Sequence, residues 1–194
     1  MATFRRSLIA VVVLTVVFGL VYPLVFTGFA QLAFSDRANG SLIERDGRVV
    51  GSRLAAQEFT RDEYFHPRPS GTDPVYNAAG TTFSNLGPTN PDLAKLVDER
   101  ARAILALEGR YTDGLEVGDI PVDAVTTSGS GIDPHISPAY ARLQTPRVAE
   151  ERGLSEERVA ELVDDNTDGR SLGFLGEPGV NVLELNLALD EETR

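Results

Sequence analysis

The stretch Thr126–Ser137, TTSGSGIDPHIS, gathers the side chains of this sequence best equipped for chemistry. Ser128 and Ser130 offer hydroxyls, Asp133 a carboxylate, and His135 is one of only two histidines. Serine, acid and imidazole are the parts of a nucleophilic site: the imidazole takes the hydroxyl proton and the carboxylate orients the ring. On that reading Ser130 and His135 would make the chain a serine hydrolase. The spacing argues against it. A nucleophile elbow needs glycine two residues to each side of the serine. Ser130 instead has Gly129 and Gly131 as immediate neighbours, and Ser128 fails the pattern as well. A triad also converges from separate segments, whereas these groups share one turn.

Two other chemistries fare no better. Asp133 and His135 could supply two metal ligands and His66 a third, but no zinc or calcium spacing is present. The simpler expectation is that Asp133 accepts N–H groups of its own turn, with His135 hydrogen-bonded near the following helix. The run SGSG lacks the lysine and spacing of a phosphate loop, and GEPG at 176–179 fails likewise. No firmly bound cofactor is implied. The aromatic group Tyr64, Phe65, Tyr76 and Phe83 could cage a small ligand, but such rings under a loop more often form a satellite core.

The elements that must position this stretch can be read from capping and periodicity. Asp46-Gly47 between two β-type runs predicts a hairpin over 40–52. Residues 57–90 are rich in Pro, Gly and Asn but too aromatic for a disordered linker, so an ordered irregular loop pinned by its rings is expected. Asn90-Pro91 opens a helix that Gly109 ends. Residues 119–125 read as a strand entering the motif. Ser137-Pro138 caps a short helix to about Leu143, Thr145-Pro146 a second that stops at Gly153, and Ser155 a third over 156–163. The alternation in VNVLELNLALD predicts a buried strand over 180–190. Tyr140 is expected in the core.

Leu8–Phe34 runs for 27 residues without a charge. As a helix it would measure about 40 Å, enough to cross about 30 Å of hydrocarbon. Pro23 within it predicts a local break in the hydrogen-bond ladder. Its length exceeds that of a signal-peptide core, which favours a retained anchor. Arg5 and Arg6 precede the run, so the positive-inside rule puts residues 1–7 in the cytoplasm, 8–34 in the cell membrane, and 35–194 outside. Beyond residue 34 the chain carries 16 basic and 29 acidic groups. That net charge of −13 repels nucleic acid. There is no cysteine, so disulfides and thiolate chemistry are excluded. The sum is a mixed α+β extracytoplasmic domain following one transmembrane helix.

An ordered set of motifs then points to a family. Tyr22-Pro23 inside the apolar run is followed by NGSLI at 39–43, YFHPRPS at 64–70 and SNLGPTNP at 84–91. TTSGSGIDPHISP at 126–138, PRVAEERGL at 146–154 and VNVLELNLAL at 180–189 complete it. Together these resemble the C subunit of the Kdp potassium-transporting ATPase, nearly end to end. The resemblance implies a non-catalytic accessory subunit of an ATP-driven potassium importer. Its partners would be a channel-like potassium-translocating subunit, a P-type ATPase subunit that handles the ATP, and a small peptide subunit. It implies a role in assembly, and possession of a catalytic-chaperone effect that raises the ATP affinity of the ATPase subunit. On this basis Gln144 becomes the candidate for a nucleotide-related role. Pro23, Tyr64, Phe65, Ser128, Gly129, Ser130, Gly131, Asp133 and His135 become candidates for structural or partner contacts. One departure stands out: GTTFSN at 80–85 replaces the family's usual SGGSN, losing a glycine pair.

Overall fold

A computed structural model describes residues 1–80 and 85–193. The departure from the family pattern at 81–84, with Phe83, lies outside the described residues. Two compact units are formed, Met1–Val50 and Gly51–Arg194.

The first unit begins with one continuous helix over Ala2–Ala33, apolar and long enough to cross a membrane, with no residue buried within the chain. It comprises α1 (Ala2–Val16), a π-helical turn (Val17–Val21) and α2 (Tyr22–Ala33). The widened turn has a physical cause. Pro23 has no N–H to bond the Gly19 carbonyl, and its ring would crowd that carbonyl. The preceding turn opens, so that Tyr22 N–H bonds to the Val17 carbonyl five residues back. A short helical turn, α3 (Ser35–Ala38), follows. Strands β1 (Leu42–Arg45) and β2 (Arg48–Ser52) then form the expected hairpin. Asp46 and Gly47 turn it at φ 51° and 73°, the signature of a type I′ turn.

The second unit is α+β. Its helices are α4 (Pro91–Glu108), α5 (Val122–Val125), α6 (Pro138–Arg152), α7 (Glu156–Asp165) and α8 (Val182–Glu192). Its small sheet is antiparallel, in the order β3 (His135–Ile136), β5 (Gly179–Asn181), β4 (Thr167–Asp168). The predicted caps of α4 and α7 are in place: Asn90 accepts from Asp92 N–H, and Ser155 from Arg158 N–H. Phe65, Ile136, Tyr140, Val148, Val163 and Leu185 lie in the single core between sheet and helices. Phe65 therefore belongs to the main core, not to a satellite under the loop.

Three expectations are corrected. The strand over 119–125 is instead a 3₁₀ turn (Val117–Asp119) followed by the helical turn α5. The break at Thr145-Pro146 does not occur, and α6 runs through it. Gln144, Thr145, Arg147, Val148 and Ala149 are buried on both sides of the proline, so packing outweighs its cost of about 3 kcal/mol. Thr145 Oγ1 also donates to the Ala141 carbonyl. Finally, the strand over 180–190 is three residues of β5 followed by α8. Val182, Leu185, Asn186 and Leu189 all lie buried at helical spacing, and the leucine alternation masked this period.

The switch from strand to helix sits at Asn181. Its carboxamide oxygen accepts from Glu184 N–H at 3.2 Å, and its Nδ2 donates to the Arg53 carbonyl at 2.9 Å. Asn181→Ala removes both bonds at a buried position. We expect a loss of about 1–2 kcal/mol, read as a lowered urea midpoint for the full chain in detergent.

Candidate functional site

The turn-rich segment before α4 contains a stretch, 62–66, whose backbone groups lie wholly or partly buried but belong to no sheet. Such groups must be paired, and helix side chains do it. Phe65 N–H donates to Asn186 Oδ1, and Asn186 Nδ2 donates to the Phe65 carbonyl, each at 2.9 Å. Gln144 on α6 treats the next residue the same way. His66 N–H donates to its Oε1 at 2.7 Å, and its Nε2 donates to the His66 carbonyl at 3.1 Å. Two amides thus replace neighbouring strands.

Arg147 completes the anchor. It is fully buried, and so is Glu108, whose carboxylate it meets at 3.0 and 3.1 Å. It also donates to the Asp62 carbonyl, to the Tyr64 carbonyl at 2.8 Å and to Gln144 Oε1 at 2.7 Å. Arg152, one turn on, donates to the Glu63 carbonyl at 2.7 Å and to Asp190 at 2.9 Å. Its guanidinium lies 4.7 Å from the centre of the Tyr64 ring, whose hydroxyl reaches Asp190. Burial pushes the Glu108 carboxyl above its ordinary range even against the pull of Arg147. Burial, and then the Arg147 charge, depress the His66 imidazole. Its ring bonds to the Arg61 carbonyl within the same loop, so the structure does not bring it to Asp133 and His135.

The motif loop is held in turn by residues 68–70. Arg68 Nη1 donates to Asp133 at 3.1 Å, and Ser70 Oγ to the Gly131 carbonyl at 2.9 Å. Ala56 N–H reaches the Ile132 carbonyl at 2.8 Å. Ser128 Oγ accepts from Gly131 N–H, and Ser130 Oγ from Ile132 N–H, with 3.3 Å between the two hydroxyls. Gly131 adopts φ 73°, which favours glycine. Gly129 does not share that need: a Cβ there would meet nothing within 4 Å. Asp133 accepts from His135 N–H at 3.0 Å, as expected of its turn. Asp123, unremarked in the sequence, accepts from the Ser137 N–H and hydroxyl and so fixes the start of α6.

His135 lies on β3 beside an open cleft of about 600 Å³ lined also by Arg68, Asp123, Asp133, Asp168 and Glu177. It does not bond to the following helix. Its Nδ1 stands 3.6 Å from Asp133 and its Nε2 3.5 Å from Asp168 on β4. The imidazole therefore bridges the two outer strands across β5. Gly179 makes room, since a Cβ there would lie 3.2 Å from the His135 Cβ. The Asp133 carboxylate beside the ring, opposed by burial and helped by the Asp168 charge, raises the His135 pKa. Burial pushes the Asp133 carboxyl up, but the nearby His135 ring, the bond from the His135 backbone N–H and the Arg68 charge leave it net lowered. Among the described residues no bond joins a serine to His135, so the hydrolase reading has no site. No group of three or more His, Asp or Glu among them is placed to hold a metal ion.

One candidate membrane helix followed by a small α+β domain, its reactive side chains turned to holding its own backbone, is the construction of an anchored subunit. The chain belongs to the KdpC family, the c chain of the K⁺-transporting ATPase, whose family pattern matches residues 4–191. It is 53% identical over 184 residues to the potassium-transporting ATPase KdpC subunit of Mycobacterium tuberculosis H37Rv, covering 95% of each chain. The subunit of the same name from Paraburkholderia phytofirmans is 54% identical over 189 residues, 97% of this chain and 96% of that one. That of Beijerinckia indica is 52% identical over 186 residues, 96% and 92% respectively.

Two outcomes follow from this geometry. Arg147→Met strands Glu108 as an unpaired buried charge and orphans two loop carbonyls. We expect a loss of about 3–5 kcal/mol, seen in denaturant titration of the full chain. The His135 pKa is raised on folding, so its contribution is fully present below about pH 6.5 and is lost as pH rises through the folded value. The difference in thermal midpoint between the wild type and His135→Gln should therefore be largest near pH 6 and shrink toward pH 8.

Proposed function

We propose that the chain is a non-catalytic accessory subunit that stabilises assembly of an ATP-driven, high-affinity potassium import complex. The observation that carries this reading is that each side chain equipped for chemistry is engaged in structure. Ser128 and Ser130 accept turn N–H groups, and Asp133 and His135 brace the sheet. Gln144 is fully buried, with both ends of its amide on the His66 backbone. On this reading Gln144 shapes a loop and does not meet a nucleotide. Phosphoryl chemistry belongs to a P-type ATPase subunit and ion passage to a channel-like subunit, with a small peptide subunit as third partner. This chain holds no cofactor firmly.

The placement of Arg5 and Arg6 before the apolar run supports a single-pass topology in the cell membrane, N-terminus in the cytoplasm and domain outside. The domain is then separated from cytosolic ATP. Any rise in the ATP affinity of the ATPase subunit travels as a coupling energy, typically about 1–3 kcal/mol, through the membrane helix or the partners. Pro23 and the π turn before it are the irregular point of that helix.

The test is deletion of residues 35–194 in cells that depend on this pump. Loss of the assembled complex from mild-detergent extracts, with loss of uptake at low potassium, is expected; normal uptake overturns the proposal.

A further inference from the structure

Among the described residues outside the apolar helix, exposed large hydrophobic side chains stand apart along the chain, with one exception. The connection from β4 to β5 carries Leu172, Phe174 and Leu175 together, at 84%, 69% and 50% exposure. This tip is ordered. Ser171 and Leu175 exchange two backbone hydrogen bonds of 2.9 Å, and Gly173 N–H bonds to the Arg170 carbonyl at 3.0 Å. An Arg170–Glu177 ion pair of 2.6 Å closes the base. Below it, Asp168 pairs with Gly179 in the sheet and is held by His135.

The arrangement is unfavourable for the subunit by itself. Leu172 sits at φ 55°, the left-handed region, where a branched apolar residue is strained. Three apolar side chains also stay in water. An outlier of this kind, held by a well-bonded frame, marks a surface shaped for something outside the subunit. We propose that Leu172–Leu175 is a docking tip that seats Phe174 in an apolar pocket of another protein subunit of the same potassium-transporting ATPase. This rests on the assembly role proposed above. A rigid tip loses little freedom on binding, and a buried aromatic is the usual energetic anchor of such contacts.

Charge selects the occupant. Asp168 and Glu177 flank the tip at 78% and 79% side-chain exposure, Glu177 paired with Arg170 and Asp168 beside His135, on a segment whose net charge is −13. That net charge disfavours anionic lipid headgroups and a second copy of this chain alike. The pocket that fits has an apolar floor and positive charge around it.

The experiment uses the complete complex, purified in mild detergent, with the photo-crosslinking residue benzoylphenylalanine in place of Phe174. The expected result is an adduct identified by mass spectrometry as another subunit of the complex. Phe174→Asp should lower recovery of the chain with the complex about tenfold or more. Leu172→Gly relieves the left-handed strain, so it should leave the chain's thermal midpoint unchanged or higher while weakening its retention. Unchanged retention of Leu172→Gly in the complex would count against docking. Adducts only with lipid, with a second copy of this chain, or with nothing overturn the docking proposal while leaving the accessory-subunit reading standing, provided the wild-type chain co-purifies with the other subunits. If the wild-type chain co-purifies with none of them, both proposals fall.

Discussion

Residues 62–66 carry wholly or partly buried peptide groups with no strand beside them, and the rest of the domain is arranged to answer that need. An unpaired buried N–H or carbonyl costs about 1–3 kcal/mol, and five consecutive residues present several. Asn186, Gln144, Arg147 and Arg152 supply the partners from α8 and α6. Because these groups must point at one extended segment, the two helices are fixed against it, and Phe65 enters the core between them. The motif loop at 126–137 is one step further out. It is held by Arg68 and Ser70, which follow directly in the same segment.

Within this arrangement the Arg147–Glu108 pair is a device for specificity more than for stability. Burial raises the Glu108 pKa despite the adjacent guanidinium, a sign that desolvation is not fully offset. What the pair gains is direction. With its carboxylate partner in place, Arg147 has remaining donors only for the Asp62 and Tyr64 carbonyls and Gln144. An apolar core of equal volume could pack as well, but it could not hold that loop in one register.

Much of this was legible in the chain. Caps and turns have local causes, so Asn90-Pro91, Ser155 and Asp46-Gly47 announce their elements directly. The apolar run likewise states its length. Where packing decides, the local signal misleads. Thr145-Pro146 has the chemistry of a helix start, yet it lies mid-helix because both flanks are buried. The leucines after Asn181 alternate, yet Val182, Leu185, Asn186 and Leu189 bury a helical face. The candidate site divides the same way. Asp133 and Gly131 act within their own turn and could be read from it. Arg147, Glu108, Asn186, Asp123 and Asp168 act across the fold on partners far away in sequence, and no spacing rule marks them. A polar Asn186 on the otherwise apolar buried face of α8 was the available hint.

The grip of Asn186 on Phe65 spans 121 residues of chain. Folding that depends on so distant a closure is slow compared with folding through local contacts. Helix α8 also supplies Val182, Leu185 and Leu189 to the core. Until it arrives, Phe65 has no completed pocket and residues 62–66 have only part of their bonding. Residues 51–181 thus lack part of their core and of their bonding until α8 is in place. A chain emerging in order stays open until its last helix is free to close it. During synthesis that leaves an interval in which the unfinished core can meet other chains.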